Sequence, residues 1–218
     1  YKQAADLVIS KDNGDVERKF WKDDFSVNSS DIWVVETGSL TVGSGSLQVT
    51  GIPPTGSESL ALTPILAPNN VRKISFVASI DSVNVGTGSY RYIRGYIGET
   101  RIFEIYKTNT NTQMVLMMFE HGKTFAYSDN FRIDVTLHDN GDFSMYLNGT
   151  VALSGNTTSI PTGAFRFGLR NSMAKTSAII YEFKDVSLAS SESYVDDFSS
   201  DTTERYQPVL GTVAYDDA

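Results

Sequence analysis

The 218-residue sequence predicts an all-β protein, an antiparallel two-sheet β-sandwich of the jelly-roll type. Three observations predict it. Residues 131–149, FRIDVTLHDNGDFSMYLNG, alternate apolar and polar side chains on both sides of an Asp139-Asn140-Gly141-Asp142 tip. A period of two is the signature of a half-buried strand, and Asn-Gly is a strong hairpin turn because both residues tolerate positive φ. Strand-like runs recur along the chain at roughly 8–12-residue spacing with Gly, Asn and Ser between them, the rhythm of sandwiches and jelly rolls. Almost nothing carries a helical period.

Taken in order, the main unit opens at Phe25, followed by Trp33-Val34-Val35 and by Ser46-Leu47-Gln48-Val49, which Gly43, Gly45 and Gly51 set off. A Pro/Gly loop at 51–57 leads to Ser59-Leu60-Ala61-Leu62, and Pro64 and Pro68 flank an apolar pair. Arg72 to Ile80 alternates, with Ile74, Phe76, Ala78 and Ile80 on one face; Ser82 to Ser89 is a Gly/Ser/Asn loop. Strands are predicted at 90–97, 101–107, 113–120 and 124–127, and the run Met114 to Phe119 reads as a strand buried on both faces. In the hairpin, Phe131, Ile133, Val135, Leu137, Phe143, Met145 and Leu147 are assigned to the core, and Asn148-Gly149 turns the chain again. A strand at 150–154 follows. Ala164 to Arg170 puts Phe165, Phe167 and Leu169 inward, and Ala178 to Leu188 closes the unit.

The chain also contains a repeat. Asp23-Asp24-Phe25-Ser26 recurs as Asp196-Asp197-Phe198-Ser199, and Asp6-Leu7-Val8-Ile9-Ser10 resembles Asp185-Val186-Ser187-Leu188-Ala189. The two matches fall in the same order, each pair joined by a polar linker, which suggests a tandem array. The expected organisation is therefore the tail of a preceding repeat plus linker at 1–22, a complete module at 23–189, and a linker with the first strands of a following repeat at 190–218. The chain begins at Tyr1 with neither a methionine nor a signal peptide, as a segment of a longer protein would.

Bulk properties narrow the function. A hydrophobic content of 40% supports a proper core. The net charge of −8 and pI near 4.7 argue against DNA, RNA or anionic lipid as the main partner, because those need a basic face; a neutral or cationic ligand stays open. Without cysteine the fold relies on its core, and the compartment is left open. No run approaches the ~18 apolar residues of a membrane span, so no membrane insertion is expected.

The opening Asp23-Asp24-Phe25-Ser26 with Trp33 a few residues on, the mid-chain Tyr146-Leu147-Asn148-Gly149, and the closing Gly168-Leu169-Arg170-Asn171 before an aromatic-rich strand resemble the concanavalin A-like lectin/glucanase superfamily. The laminin-G-like and non-catalytic carbohydrate-binding members are the nearest comparison, and the likeness covers most of residues 23–189. It implies two sheets packed face to face, one of them concave, with sugars bound on the concave face or at its rim and a structural calcium.

Glycosidases of this fold place carboxylates at alternate positions of one strand, and a retaining pair must flank one bond at ~5–5.5 Å. The family motif resembles E-x-D-x-x-E, and no stretch here matches it. Glu99 with Glu104, and Asp129 with Asp134, stand at opposite parity. No G-x-S-x-G occurs, and His121 and His138 sit beside predicted turns. Aromatic patterning carries the stronger signal. Tyr90, Tyr92, Arg94 and Tyr96 share one face of a strand whose other face holds Ile93, Gly95 and Ile97; Glu104 and Tyr106 occupy the matching face of the next strand. Sugar rings stack on aromatic faces, and their hydroxyls suit two-pronged partners such as Arg and Glu. Arg170 is a further candidate. The structural alternative is that Tyr and Arg are simply good strand-surface residues.

For a metal, Asp23, Asp24 and Asp185 come from the first and last strands of the unit, and clustered carboxylates suit Ca²⁺. No complete calcium loop is present. The functional expectation is a non-catalytic carbohydrate-binding or adhesion module of an extracellular, cell-surface or virion-associated protein, such as a phage tail fibre. Its partners would be a polysaccharide or cell-surface glycan and the neighbouring repeats of the same chain. The alternatives are a structural spacer or protein-docking sandwich with no sugar site, and a glycoside hydrolase with unusual catalytic carboxylates.

Overall fold

The computed structural model describes residues 6–10, 16–52, 59–64, 70–80, 90–108, 112–171 and 180–190. These residues form two antiparallel sheets, and among them the one helical turn is a 3-10 segment, Ser30–Ile32. No helix among them is long and apolar enough to cross a membrane. The nine-stranded sheet runs β1 (Asp6–Ser10), β2 (Val16–Asp23), β16 (Tyr181–Ala189), β7 (Lys73–Ile80), β12 (Phe131–Leu137), β13 (Asp142–Leu147), β14 (Thr150–Asn156). Along the same edge of β16 as β2, β5 (Ser46–Thr50) pairs with its first residues, and β4 (Ser39–Gly43) pairs with β5. The seven-stranded sheet runs β11 (His121–Ala126), β10 (Gln113–Met118), β9 (Thr100–Lys107), β8 (Arg91–Ile97), β15 (Phe165–Asn171), β6 (Ser59–Pro64), β3 (Trp33–Val34). The all-β sandwich expected from the sequence is the observed fold.

The period-two pattern is what closes the core. Phe131, Ile133, Val135 and Leu137 are all buried, and they stand beside Ile74, Phe76, Ala78 and Ile80 of β7. The facing sheet contributes Ile93, Phe103, Ile105, Phe165, Phe167 and Leu169. Phe76 meets Phe167 edge-on at 5.2 Å and stacks on Phe103 at 5.9 Å across the two layers. Each such ring stabilises the fold by about 1.5–3 kcal/mol of burial, and each aromatic pair adds roughly 0.5–1.5 kcal/mol.

The two Asn-Gly turns differ. Asn148 (φ 50) and Gly149 (φ 79) are both left-handed, as a two-residue hairpin turn requires. At the other tip only Gly141 has positive φ; its N–H donates to His138 O, and His138 N–H donates to Asp142 O. This is a three-residue loop closed by a left-handed glycine.

Two expectations are corrected. The run Met114 to Phe119 is not buried on both faces: Met114, Leu116 and Met118 enter the core, whereas Val115 and Met117 lie half-buried on the outer face. The boundary expected between residues 22 and 23 falls inside β2, which seats Trp21 fully in the core and pairs with β16. The sandwich therefore reaches upstream at least to Val16, and β1 pairs with β2 beyond it. The second D-D-F-S copy, at 196–199, lies outside the described residues.

Candidate functional site

The outer face of the seven-stranded sheet carries most of the polar side chains that the sequence singled out. Strand alternation turns Ile93, Gly95 and Ile97 of β8 toward the core and Tyr92, Arg94 and Tyr96 away from it, as expected. Pairing with β15 and β9 then arranges three rows across the sheet. The first is Arg170–Tyr92–Tyr106, the second Gly168–Arg94–Glu104 and the third Arg166–Tyr96–Arg101. Val115 and Met117 of β10 extend the first two rows beside Tyr106 and Glu104.

The rows interlock by charge and ring contacts. Arg94 Nε donates to Glu104 Oε2, and Arg101 Nη1 donates to the same oxygen at 3.0 Å. The Arg94 guanidinium lies 5.0 Å from the Tyr92 ring centre, and that of Arg170 lies 5.5 Å from the same ring. Arg166 lies 5.4 Å over Tyr96 and pairs with Glu99 at 2.8 Å. Tyr90, Tyr92 and Tyr106 form a cluster with ring centres 5.3 to 6.3 Å apart. Burial, and next the Glu104 carboxylate, raise the Tyr92 and Tyr106 hydroxyls above the ordinary tyrosine range, so both are neutral hydrogen-bond groups near pH 7.

Accessibility across this face is uneven. Arg94, Tyr96 and Glu104 are nearly buried, at 6%, 7% and 7% exposure. Tyr92, Tyr106 and Arg170 are half-buried, and Tyr90 is exposed. The accessible aromatic surface is thus the Tyr90/Tyr92/Tyr106 end, while Arg94 and Glu104 form the floor. Tyr96, expected to be an open stacking platform, is covered by Arg166. At its end of the sheet Tyr96 also borders an open cleft of about 520 Å³. Arg101, Phe119, Glu120, His121 and Asn156 are among its other walls.

Two members of the face, Arg101 and Arg166, escaped the sequence reading. Arg166 shares its parity with Arg170 in the run Phe165–Asn171 and was open to the same argument. Arg101 was hidden by a bulge: Gly95 opposes Phe103 while Tyr96 opposes Arg101, so Ile102 is an extra residue that shifts the alternation. Tyr181, inside the core, donates its hydroxyl to the Arg170 carbonyl at 2.8 Å and so ties the β15 backbone beneath Arg170 to the opposite sheet.

The three candidate metal ligands do not converge. Asp23 is buried, with Oδ1 accepting from Phe25 N and Oδ2 from Trp33 Nε1, both at 2.9 Å. Asp24 is exposed and accepts from Ser26 N. Asp185 pairs with Lys22 at 2.6 Å and with Arg132 at 3.1 Å. No group of three or more His, Cys, Asp or Glu capable of holding an ion occurs among the described residues. These aspartates act as turn, indole and cation partners, and the set does not fit a calcium site.

No family model and no curated protein matches the chain in sequence. Solved structures do match it in shape. One is a Bacillus licheniformis β-glucanase, at 11% identity and a TM-score of 0.55 over 78% of this chain and 98% of that one. Another is a prokaryotic β-1,3-1,4-glucanase (lichenase) derived from a mouse hindgut metagenome, at 10% identity and a TM-score of 0.55 over 78% and 99%. A third is a sialidase, at 12% identity and a TM-score of 0.58, covering 87% of this chain and 21% of that chain. The likeness establishes the fold alone: this chain is a two-sheet antiparallel jelly roll similar in shape to these glucanases.

Proposed function

We propose that the chain is a non-catalytic carbohydrate-binding module that holds a glycan on the outer face of its seven-stranded sheet. The observation that carries this reading is the union, on one face, of a Tyr90/Tyr92/Tyr106 cluster with a floor of Arg94 and Glu104. Half-exposed rings supply stacking surface, and guanidinium and carboxylate groups supply hydroxyl partners. The likeness to glucanases and a sialidase is compatible with it.

The non-catalytic part rests on the carboxylates. Among the described residues Glu104 is the carboxylate in the middle of the face, and two arginines share one of its oxygens. Glu99 stands at the rim, drawn to Arg166, whose hydrogen bond holds its carboxyl below the usual range. Glu99 therefore lacks the environment of a protonated general acid, which needs a raised pKa, and Glu104 has its Oε2 engaged by two guanidinium groups.

The setting we propose is a multi-domain extracellular or virion-associated protein in which weak sites act together. The D-D-F-S repeat supports an array, because its first copy has a structural task, the Asp23 turn and indole contacts, that a second unit would need again. The competing reading, a spacer or protein-docking sandwich, draws on the crowding of Arg94, Tyr96 and Glu104.

Binding to a glycan array and to bacterial cell-wall polysaccharides tests the proposal. Wild-type chain should bind at least one glycan, and Tyr92→Ala with Tyr106→Ala should abolish the binding while the melting midpoint holds. Silence across the array favours the spacer. Turnover of a bound polysaccharide, read as new reducing ends, overturns the non-catalytic reading.

A further inference from the structure

The two outer faces of the sandwich handle charge differently. Among the described residues of the nine-stranded sheet, Arg132, Lys22 and Lys184 form ion pairs with Asp134, Asp185 and Glu182, three paired cations against three paired carboxylates. On the seven-stranded sheet the rows hold Arg94, Arg101, Arg166 and Arg170 against Glu104 and the rim Glu99. Among the described residues of these rows that is four cations against two carboxylates, on a chain whose net charge is −8. Glu120, in the wall of the cleft, lies beyond the Tyr96 row and away from Arg170.

The surplus is localised. Arg94 and Arg101 share Glu104, and Arg166 has Glu99. Arg170 is half-buried against Tyr92, with no carboxylate at ion-pair distance among the described residues, and its Nε is buried without a hydrogen-bond partner. Along β15 it stands four residues from Arg166, and the position between them on the same face is Gly168, which contributes no side chain. A planar guanidinium held on an aromatic ring is pre-organised to take a carboxylate or sulfate in a two-pronged contact.

We infer that the ligand of this face is an acidic polysaccharide, one whose carboxylate or sulfate group is received by Arg170 beside the Tyr90/Tyr92/Tyr106 cluster. The inference rests on the glycan-binding reading above and adds the charge of the glycan to it. It also reverses the expectation from net charge alone. The chain as a whole repels anions, but within a Debye length of about 10 Å a ligand on this face senses the local arginines most strongly.

The test measures affinity of the full chain by isothermal titration for polygalacturonate, dextran sulfate and unmodified dextran, beside a panel of neutral cell-wall glucans. The expected result is binding to polygalacturonate or dextran sulfate, with the two polymers separating carboxylate from sulfate. That affinity should weaken about tenfold or more between low and high salt, as screening removes the arginine contribution. Arg170→Gln should weaken it by a similar factor with an unchanged melting midpoint, and Arg170→Lys should recover part of the loss. Equal binding of neutral and acidic polymers, or salt-independent binding that Arg170→Gln leaves intact, overturns the acidic ligand and leaves glycan binding standing. No binding to any polymer overturns both.

Discussion

Asp23 and Trp33 hold each other: the indole Nε1 donates to Asp23 Oδ2 at 2.9 Å, while Asp23 Oδ1 accepts the Phe25 N–H at 2.9 Å. One buried carboxylate thus serves the turn and the ring stack that follows it. Trp33 packs edge-on against Trp21 at 5.3 Å and tilted against Phe25 at 5.8 Å, with Phe25 in the left-handed region at φ 55. Asp23→Ala leaves two buried donors unsatisfied and should lower unfolding free energy by about 2–4 kcal/mol. Asp23→Asn keeps one of the two acceptor oxygens and puts an NH2 donor in place of the other, so it should retain one of the two contacts and lose less. Urea denaturation measures both, and equal losses in the two variants would contradict the assignment.

Gly95 is dictated by its neighbour. A Cβ there would stand 2.2 Å from Phe103 Cε1, and Phe103 is itself wedged between Phe76 and Phe165. Gly95→Ala should therefore destabilise by about 1–3 kcal/mol through overpacking. In the background of Phe103→Leu the same substitution should have a much smaller effect. A double-mutant cycle that shows no coupling between the two positions would sink this explanation.

Glu104 should matter more than the arginine at its edge. Replacing it with Gln leaves Arg94 buried without its countercharge and should destabilise by about 3–5 kcal/mol. Arg101, whose side chain is 45% exposed, should cost less than about 1 kcal/mol when replaced by Ala. A spectrophotometric tyrosine titration gives a second readout. Without the Glu104 charge the Tyr92 and Tyr106 hydroxyls should ionise at lower pH than in wild type, while burial still holds them above the ordinary value.

The part of this arrangement that follows strict alternation was legible in the sequence. The hairpin core, the outward parity of Tyr92, Arg94 and Tyr96, and the inward Phe165, Phe167 and Leu169 all come from a period of two. Three things were not legible, each for a physical reason. A bulge at Ile102 shifts parity and hid Arg101. The covering of Tyr96 by Arg166 depends on which residue of β15 lies opposite it, and long-range register is invisible before the strands are paired. Asp23, Asp24 and Asp185 looked like a cation site because sequence shows acidic side chains but not the donors that reach them. Lys22, Arg132, Trp33 and two backbone N–H groups had claimed them.

The outward limit of the module can be tested by shortening the chain. Among the described residues the last strand of the nine-stranded sheet in chain order is β16, which ends at Ala189. If residues 191–218 belong to a following repeat, a chain ending after Ser190 should melt within about 2 °C of the full chain, a difference under about 1 kcal/mol at this size. A larger drop would show that those residues complete this sandwich, against the array.

Asp185 gives the pH dependence a sign. It sits at the β16 bulge with φ 51, and Lys22 first, then Arg132, hold its carboxyl below the ordinary aspartate value. A carboxyl whose folded pKa is depressed contributes stability that is fully present above its unfolded pKa of about 3.9 and is lost as pH falls through the folded value. Solvent screening limits that contribution to about 1 kcal/mol or less, because the group is partly exposed. Asp185→Asn isolates the charge, since Asn also tolerates the left-handed backbone. At pH 7 wild type should be the more stable protein in denaturant titrations at low salt. The gap should close as pH is lowered from about 5 to 2, because protonation then removes from wild type what the substitution has already removed. A gap that stays constant across that range would mean the Lys22 and Arg132 contacts do not stabilise the bulge through charge.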